Sequence, residues 1–141
     1  MLGKDKMVLF VCVGNSGRSQ MAEAFFNRYA GGQVHALSAG TKPASRVDPT
    51  VIAVMKELGI DLSGNHPKPL TRELLDASSL VITMGCGAED GVCPASWVET
   101  RDWGLTDPKG KTIEVIRGIR DDIRNRVLDL LNEIGVPPKE K

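Results

Sequence analysis

Aromatic residues make up only 4% of the 141-residue chain, and its 18 basic side chains are cancelled by 18 acidic ones. The first shortage removes the stacking surface on which single-stranded nucleic acid is bound, and the second removes any net field toward nucleic acid or an anionic membrane. Neither is an expected partner. Long apolar runs are also lacking. The run over residues 7–13 has seven residues, short of a membrane span and of a secretory segment with its cleavage site. The expectation is a cytoplasmic protein. Cysteine is scarce and odd in number, three in all, which does not suit a secreted disulfide framework. In a reducing compartment such thiols serve reactivity, metal binding or plain burial. Cys86 and Cys93 are spaced C-x6-C rather than C-x2-C, and His35 and His66 give no H-x3-5-H pair, so no metal is expected.

What is present is a regular alternation. The length suits one domain, 1–141, with a full core; no repeat, low-complexity tract or linker divides it. The apolar run ending at Cys12 reads as a strand. Met21, Ala22, Phe25, Phe26 and Tyr29 then recur at helical spacing until Gly31, with Ser19 as cap or first-turn residue. Residues 34–39 read as a second strand. Asp48-Pro49 opens a helix whose apolar face is Val51, Ile52, Met55 and Leu58, and Thr71 caps a short one. Residues 79–84 and 97–100 read as further strands. Ile113, Ile116, Ile119, Ile123, Val127, Leu130 and Ile134 stripe a long closing helix whose other face, Arg117 and Arg120 included, reads as solvated. Strands alternating with helices predict an α/β fold, a four-stranded parallel sheet covered on both faces, with functional groups at the carboxyl ends of the strands. Cys12, Cys86 and Asp107 all follow predicted strands.

The chemistry gathers around Cys12. From Cys12 to Ser19 there is no G-K-[ST] ending and no G-x-G-x-x-G, which sets aside the nucleotide and dinucleotide loops. What stands there is C-x5-R-S between a strand and a helix. Five intervening residues close a loop around a tetrahedral oxyanion. The amides of Val13, Gly14, Asn15, Ser16 and Gly17 and the helix dipole favour negative charge, and Arg18 adds a planar pair of donors. Such surroundings favour a Cys12 thiolate. Ser19 is placed to donate to that sulfur, and Asn15 to hold the loop's backbone. Burial alone would explain a cysteine at a strand end, but not the arginine, serine and helix that follow it.

The stretch C-V-G-N-S-G-R-S-Q-M-A-E at residues 12–23, with S-A-G at 38–40 and Asp107-Pro108, resembles the low-molecular-weight tyrosine phosphatase superfamily over nearly the whole chain. That resemblance implies its three-layer sandwich fold. It casts Cys12 as nucleophile, Arg18 as oxyanion clamp, Ser19 as donor to the thiolate and Asn15 as loop organiser. Asp107 becomes the general acid; Asp-Pro by itself is also a common turn or cap, and it is the cup beside it that favours the catalytic role. In-line displacement needs a proton source opposite the sulfur.

Cys86 and Cys93, on a glycine-rich segment, are more than a phosphatase requires. They are either structural cysteines or a thiol relay beside a reactive thiolate. The three thiols together resemble the thioredoxin-coupled arsenate reductases of the same superfamily. By that resemblance Cys12 attacks arsenate, of which phosphate and sulfate are mimics, Cys86 resolves the adduct, Cys93 takes over the disulfide, and thioredoxin reduces it. No bound cofactor is implied. Lys109-Gly110 follow Asp107-Pro108 where the family's phosphatases carry tyrosine, which suits a small inorganic substrate. Some reductases of the family bind potassium near the loop; Asn15, Glu23 and Ser38 match part of that pattern, with Lys68 standing in a cation's place, and no metal is expected. The alternatives are a phosphotyrosine phosphatase and a non-enzymatic oxyanion or redox sensor.

Overall fold

A computed structural model describes residues 7–84 and 100–138. Cys86, Cys93 and the expected strand residues 97–99 lie outside them. Four parallel strands, β1 (Met7–Cys12), β2 (His35–Gly40), β3 (Leu80–Thr83) and β4 (Thr100–Asp102), stand in the order β2-β1-β3-β4. Parallel neighbours need crossovers, and the sequence supplies helices for them: α1 (Arg18–Ala30), α2 (Pro49–Lys56) and α3 (Arg72–Ala77), with α4 (Ile113–Glu133) closing the chain.

Alternation along β1 divides the core. Val8, Phe10 and Cys12 face a large cluster with Phe25, Phe26, Met55 and Ile123, whereas Leu9 and Val11 face a smaller one with Ala39, Leu75 and Val81. The sheet is therefore covered on both sides, by α1, α2 and α4 on one and by α3 on the other, and β1 is apolar throughout because it is buried on both. The aromatic rings among the described residues lie in or against this core. Phe10 meets Phe26 at 5.9 Å and Trp103 at 5.7 Å between centroids.

The caps fall where the sequence puts them. Asp48 accepts from the Thr50 amide at 2.9 Å, and Thr71 from that of Leu74 at 3.1 Å. At the head of α1 the capping position is Gly17, and Ser19 lies in the first turn, its side chain turned elsewhere. Two expectations are corrected, the end of α2 and the solvation of Arg120. Within the described residues the fourth strand is Thr100–Asp102, and the expected residues 97–99 lie outside them. Its residues are polar because it pairs on one side with β3, where Thr83 Oγ1 donates to Asp102 Oδ1 at 2.9 Å. α2 stops at Lys56 and leaves Leu58 exposed, since the turn to Gly59 lifts it off the core. Arg120 is not solvated. It is buried between α4 and α2, where Nη1 donates to Val54 O at 2.9 Å and Glu57 Oε1 at 2.7 Å. No described helix is long and apolar enough to cross a membrane.

Candidate active site

Cys12 ends β1 with a neighbouring strand on either side, so the loop that follows it opens at the middle of the sheet's carboxyl edge. The loop is gripped from outside. Amides of the segment after β2 take its carbonyls: Thr41 N donates to Cys12 O, Lys42 N to Val13 O, Ala44 N to Gly14 O and Asp48 N to Ser16 O, at 2.8–3.2 Å. Among the described residues the amides of Gly14, Ser16 and Gly17 have no protein acceptor. That is the polarity of an anion cup. The S-A-G motif has a steric reason as well. A Cβ on Gly40 would lie 2.6 Å from Val13 O and 2.9 Å from Asn15 N, so only glycine lets β2 come this close to the loop.

Two donors converge on the sulfur. The Asn15 amide approaches Cys12 Sγ at 3.2 Å and Ser19 Oγ lies at 2.9 Å. Ser19 Oγ also accepts from Asn15 Nδ2 at 2.8 Å, which leaves the hydroxyl proton free to point at the sulfur. Asn15 is fully buried with φ of 50°, a left-handed conformation that asparagine tolerates better than most residues. Its Oδ1 accepts from the Lys68 amide at 2.8 Å and from Gln20 Nε2 at 3.2 Å. Gln20, also fully buried, further donates to the carbonyls of Asn15 and His66.

A cavity of about 510 Å³ opens over the loop. Cys12, Val13, Gly14, Ser16, Gly17, Arg18 and Asp107 line it; Asn15 and Ser19 do not, and stand behind the sulfur as its support. Arg18 is buried, and its Nη1 is occupied by the carbonyls of Met84 and, at 3.0 Å, of Leu105. Its other donors, Nε and Nη2, have no protein acceptor among the described residues, so an oxyanion is met by one edge of a guanidinium already fixed at the other. Met84 is two residues before Cys86, and its amide donates to Val11 O at 2.8 Å. The chain thus leaves for Cys86 and Cys93, themselves outside the described residues, from beside the cup.

Sequence reasoning missed Lys42, Ala44, Ser45, Arg46, Asp48 and Pro49 in the cavity wall, whereas Lys109, read from its place after Asp107-Pro108, does line it. The signal was available, because residues 41–48 follow β2 and so emerge at the same sheet edge as Cys12. His35 and His66 lie away from the cavity. Below the loop, Glu23 accepts from Ser38 Oγ and lies 3.7 Å from Lys68 Nζ, so an ammonium group stands beside this carboxylate. No three His, Cys, Asp or Glu side chains among the described residues are grouped to hold a metal.

Residues 7–138 match the low molecular weight phosphotyrosine protein phosphatase family. A glutaredoxin arsenate reductase of Synechocystis sp. is 41% identical over 134 residues, 92% of this chain and 99% of that one. Among solved structures, an arsenate reductase in the phosphate binding state superimposes with a TM-score of 0.82 at 40% identity, over 92% of this chain and 99% of the other. A thioredoxin-dependent arsenate reductase of Corynebacterium glutamicum gives 0.78 at 41% identity, over 92% of this chain and 61% of its own.

Proposed function

The chain belongs to the low molecular weight phosphotyrosine protein phosphatase family and is an arsenate reductase within it, and on that premise we propose the following course of reaction. The observation that carries it is the convergence of Cys12, with its two donors, the free edge of Arg18 and Asp107 on one cavity. The Cys12 thiolate attacks the arsenic of arsenate while the loop amides and Arg18 hold the oxygens. Asp107 donates a proton to the departing oxygen, which leaves as water, and a sulfur–arsenic bond is formed. The Cys86 sulfur then attacks the Cys12 sulfur. The sulfur–arsenic bond breaks with its electron pair staying on arsenic, which falls from five to three and departs as arsenite, and a Cys12–Cys86 disulfide remains. Cys93 attacks Cys86, freeing Cys12 and carrying the disulfide to the pair 86–93. Thioredoxin, an external dithiol, reduces that pair. Both electrons come from the chain's own thiols, so the reaction calls for no bound redox cofactor, and such a relay belongs in a reducing compartment such as the cytoplasm.

A small inorganic substrate is supported by the cavity wall, whose described lining contains no aromatic ring against which a phenyl ester would pack. The test is NADPH oxidation driven by arsenate in the presence of thioredoxin and its reductase, with glutathione and glutaredoxin as the competing arm. Thioredoxin is expected to sustain turnover, and Cys93→Ser to stop after about one equivalent of arsenite. Sustained turnover by that variant with thioredoxin alone would overturn the relay. A phosphotyrosine peptide hydrolysed faster than arsenate is reduced, with both later cysteines replaced, would overturn the substrate.

A further inference from the structure

Two adjacent residues of the anion loop hold the segment that carries Asp107, one on each side of it. Before Asp107, Leu105 O accepts from Arg18 Nη1 at 3.0 Å. After it, the ring of Pro108 lies against Gly17: a Cβ added to Gly17 would stand 3.0 Å from Pro108 Cγ, 3.9 Å from its Cδ and 3.5 Å from Val51 Cγ2. Leu105 and Pro108 are buried, whereas Thr106, Asp107 and Lys109 are exposed. Buried residues thus flank the exposed acid on both sides. The carboxylate is steadied locally, Oδ1 accepting from the Lys109 amide at 3.0 Å. Asp107 therefore has no anchor of its own in the core, and its distance from the cup is set by how closely the proline ring seats on the glycine.

We propose that Gly17 and Pro108 are positioning residues for the proton transfer from Asp107. The contact acts as a keyed joint, and a glycine at 17 is what allows the acid-bearing segment to close down on the anion loop. The inference rests on Asp107 being the acid. A proton donor must come within about 2.6–3.2 Å of the oxygen it serves, and displacing a reacting group by 1 Å costs on the order of 100-fold in rate. A methyl group at 17 would stand 3.0 Å from the ring, which must then give by a few tenths of an ångström.

The experiment measures single-turnover arsenite release from the fully reduced protein, and, separately, protection of Cys12 from iodoacetamide by inorganic phosphate. Gly17→Ala is expected to slow arsenite release about three- to fivefold and to shift phosphate protection less than it shifts the rate. Adding Pro108→Ala to Gly17→Ala, which removes the ring that clashes, should restore part of the lost rate. The decisive background is Asp107→Asn, where Gly17→Ala should cost less than about a further twofold, since a group that acts through Asp107 has nothing left to act on. Losses that multiply in that background, or phosphate protection that falls in step with the rate, would show that Gly17 serves the cup itself and would overturn the proposal. Asp107→Asn releasing arsenite at the rate of the parent would instead overturn the acid assignment on which the proposal stands. Should Gly17→Ala fail to fold, Pro108→Ala alone carries the same comparison against Asp107→Asn.

Discussion

At the scale of single residues, the site turns on which way one hydroxyl points. Ser19 Oγ accepts from Asn15 Nδ2 at 2.8 Å, and that bond leaves its proton free to serve Cys12 Sγ at 2.9 Å. A hydrogen bond to an ionised sulfur contributes about 1.5–3 kcal/mol. Ser19→Ala is therefore expected to slow both alkylation of Cys12 by iodoacetamide at neutral pH and arsenate turnover by roughly tenfold, with phosphate still protecting the thiol. Equal alkylation rates in the parent and the variant would contradict the arrangement. Cys12, Arg18 and Ser19 were legible in the sequence because the C-x5-R-S spacing is local, and a loop of that length has few ways to close. The partners that hold Asn15 were not. Its Oδ1 is met by the amide of Lys68, 53 positions away, and nothing in a lysine between two prolines announces that its backbone will end a network beginning at a cysteine. Gln20 carries no signal of its own in the sequence, yet it is fully buried with its amide donating into the loop.

At the scale of elements, α2 and α4 are joined by charge as well as by apolar contact. Glu57, just past the end of α2, accepts from Arg117 at 2.7 Å and from Arg120 at 2.7 Å. The hydrogen bond from Arg117 and then that from Arg120 hold its pKa down from 4.5 to about 2. A carboxylate depressed in the folded state contributes stability that is fully present above its unfolded value and is lost as pH falls through the folded one. The stability Glu57 adds should therefore drain away between about pH 4.5 and pH 2, and Glu57→Gln should flatten the pH dependence of urea unfolding in that window. An unchanged slope there would refute the coupling. The 3.6-residue period located α4 to its first residue, since Ile113 to Leu130 keep one stripe. It did not separate Arg120 from its solvated neighbours. Arg120 lies four residues after Ile116 and three before Ile123, on the flank of that stripe, and the carbonyl of Val54 draws it inward. Arg101 and Asp102 of β4 escaped for the opposite reason: they carry no apolar signal, and their strand character comes from pairing with β3.

For the molecule as a whole, zero net charge conceals an uneven surface. Lys42, Arg46 and Lys109 stand on the cavity wall above Arg18, against Asp48 and Asp107. Asp48 spends its charge on capping α2. A local positive field over a cleft raises the concentration of an anion there and is screened by salt. Replacing all three rim cations with glutamine is expected to raise the KM for arsenate about 3–10-fold at low ionic strength, with a smaller change in kcat, and to abolish most of the parent's salt dependence; steady-state rates across a sodium chloride series are the check. A KM indifferent to the triple replacement would assign the capture of substrate to the cup alone. The placement of Cys12 at the carboxyl end of β1 has a practical corollary. Met7 begins the same strand, so the chain enters the sheet roughly 17 Å from the thiol at about 3.3 Å per residue. A tether attached ahead of Met7 would fix the protein to a bead or an electrode with its mouth turned to the sample, a favourable orientation for an immobilised sensor of arsenic in water.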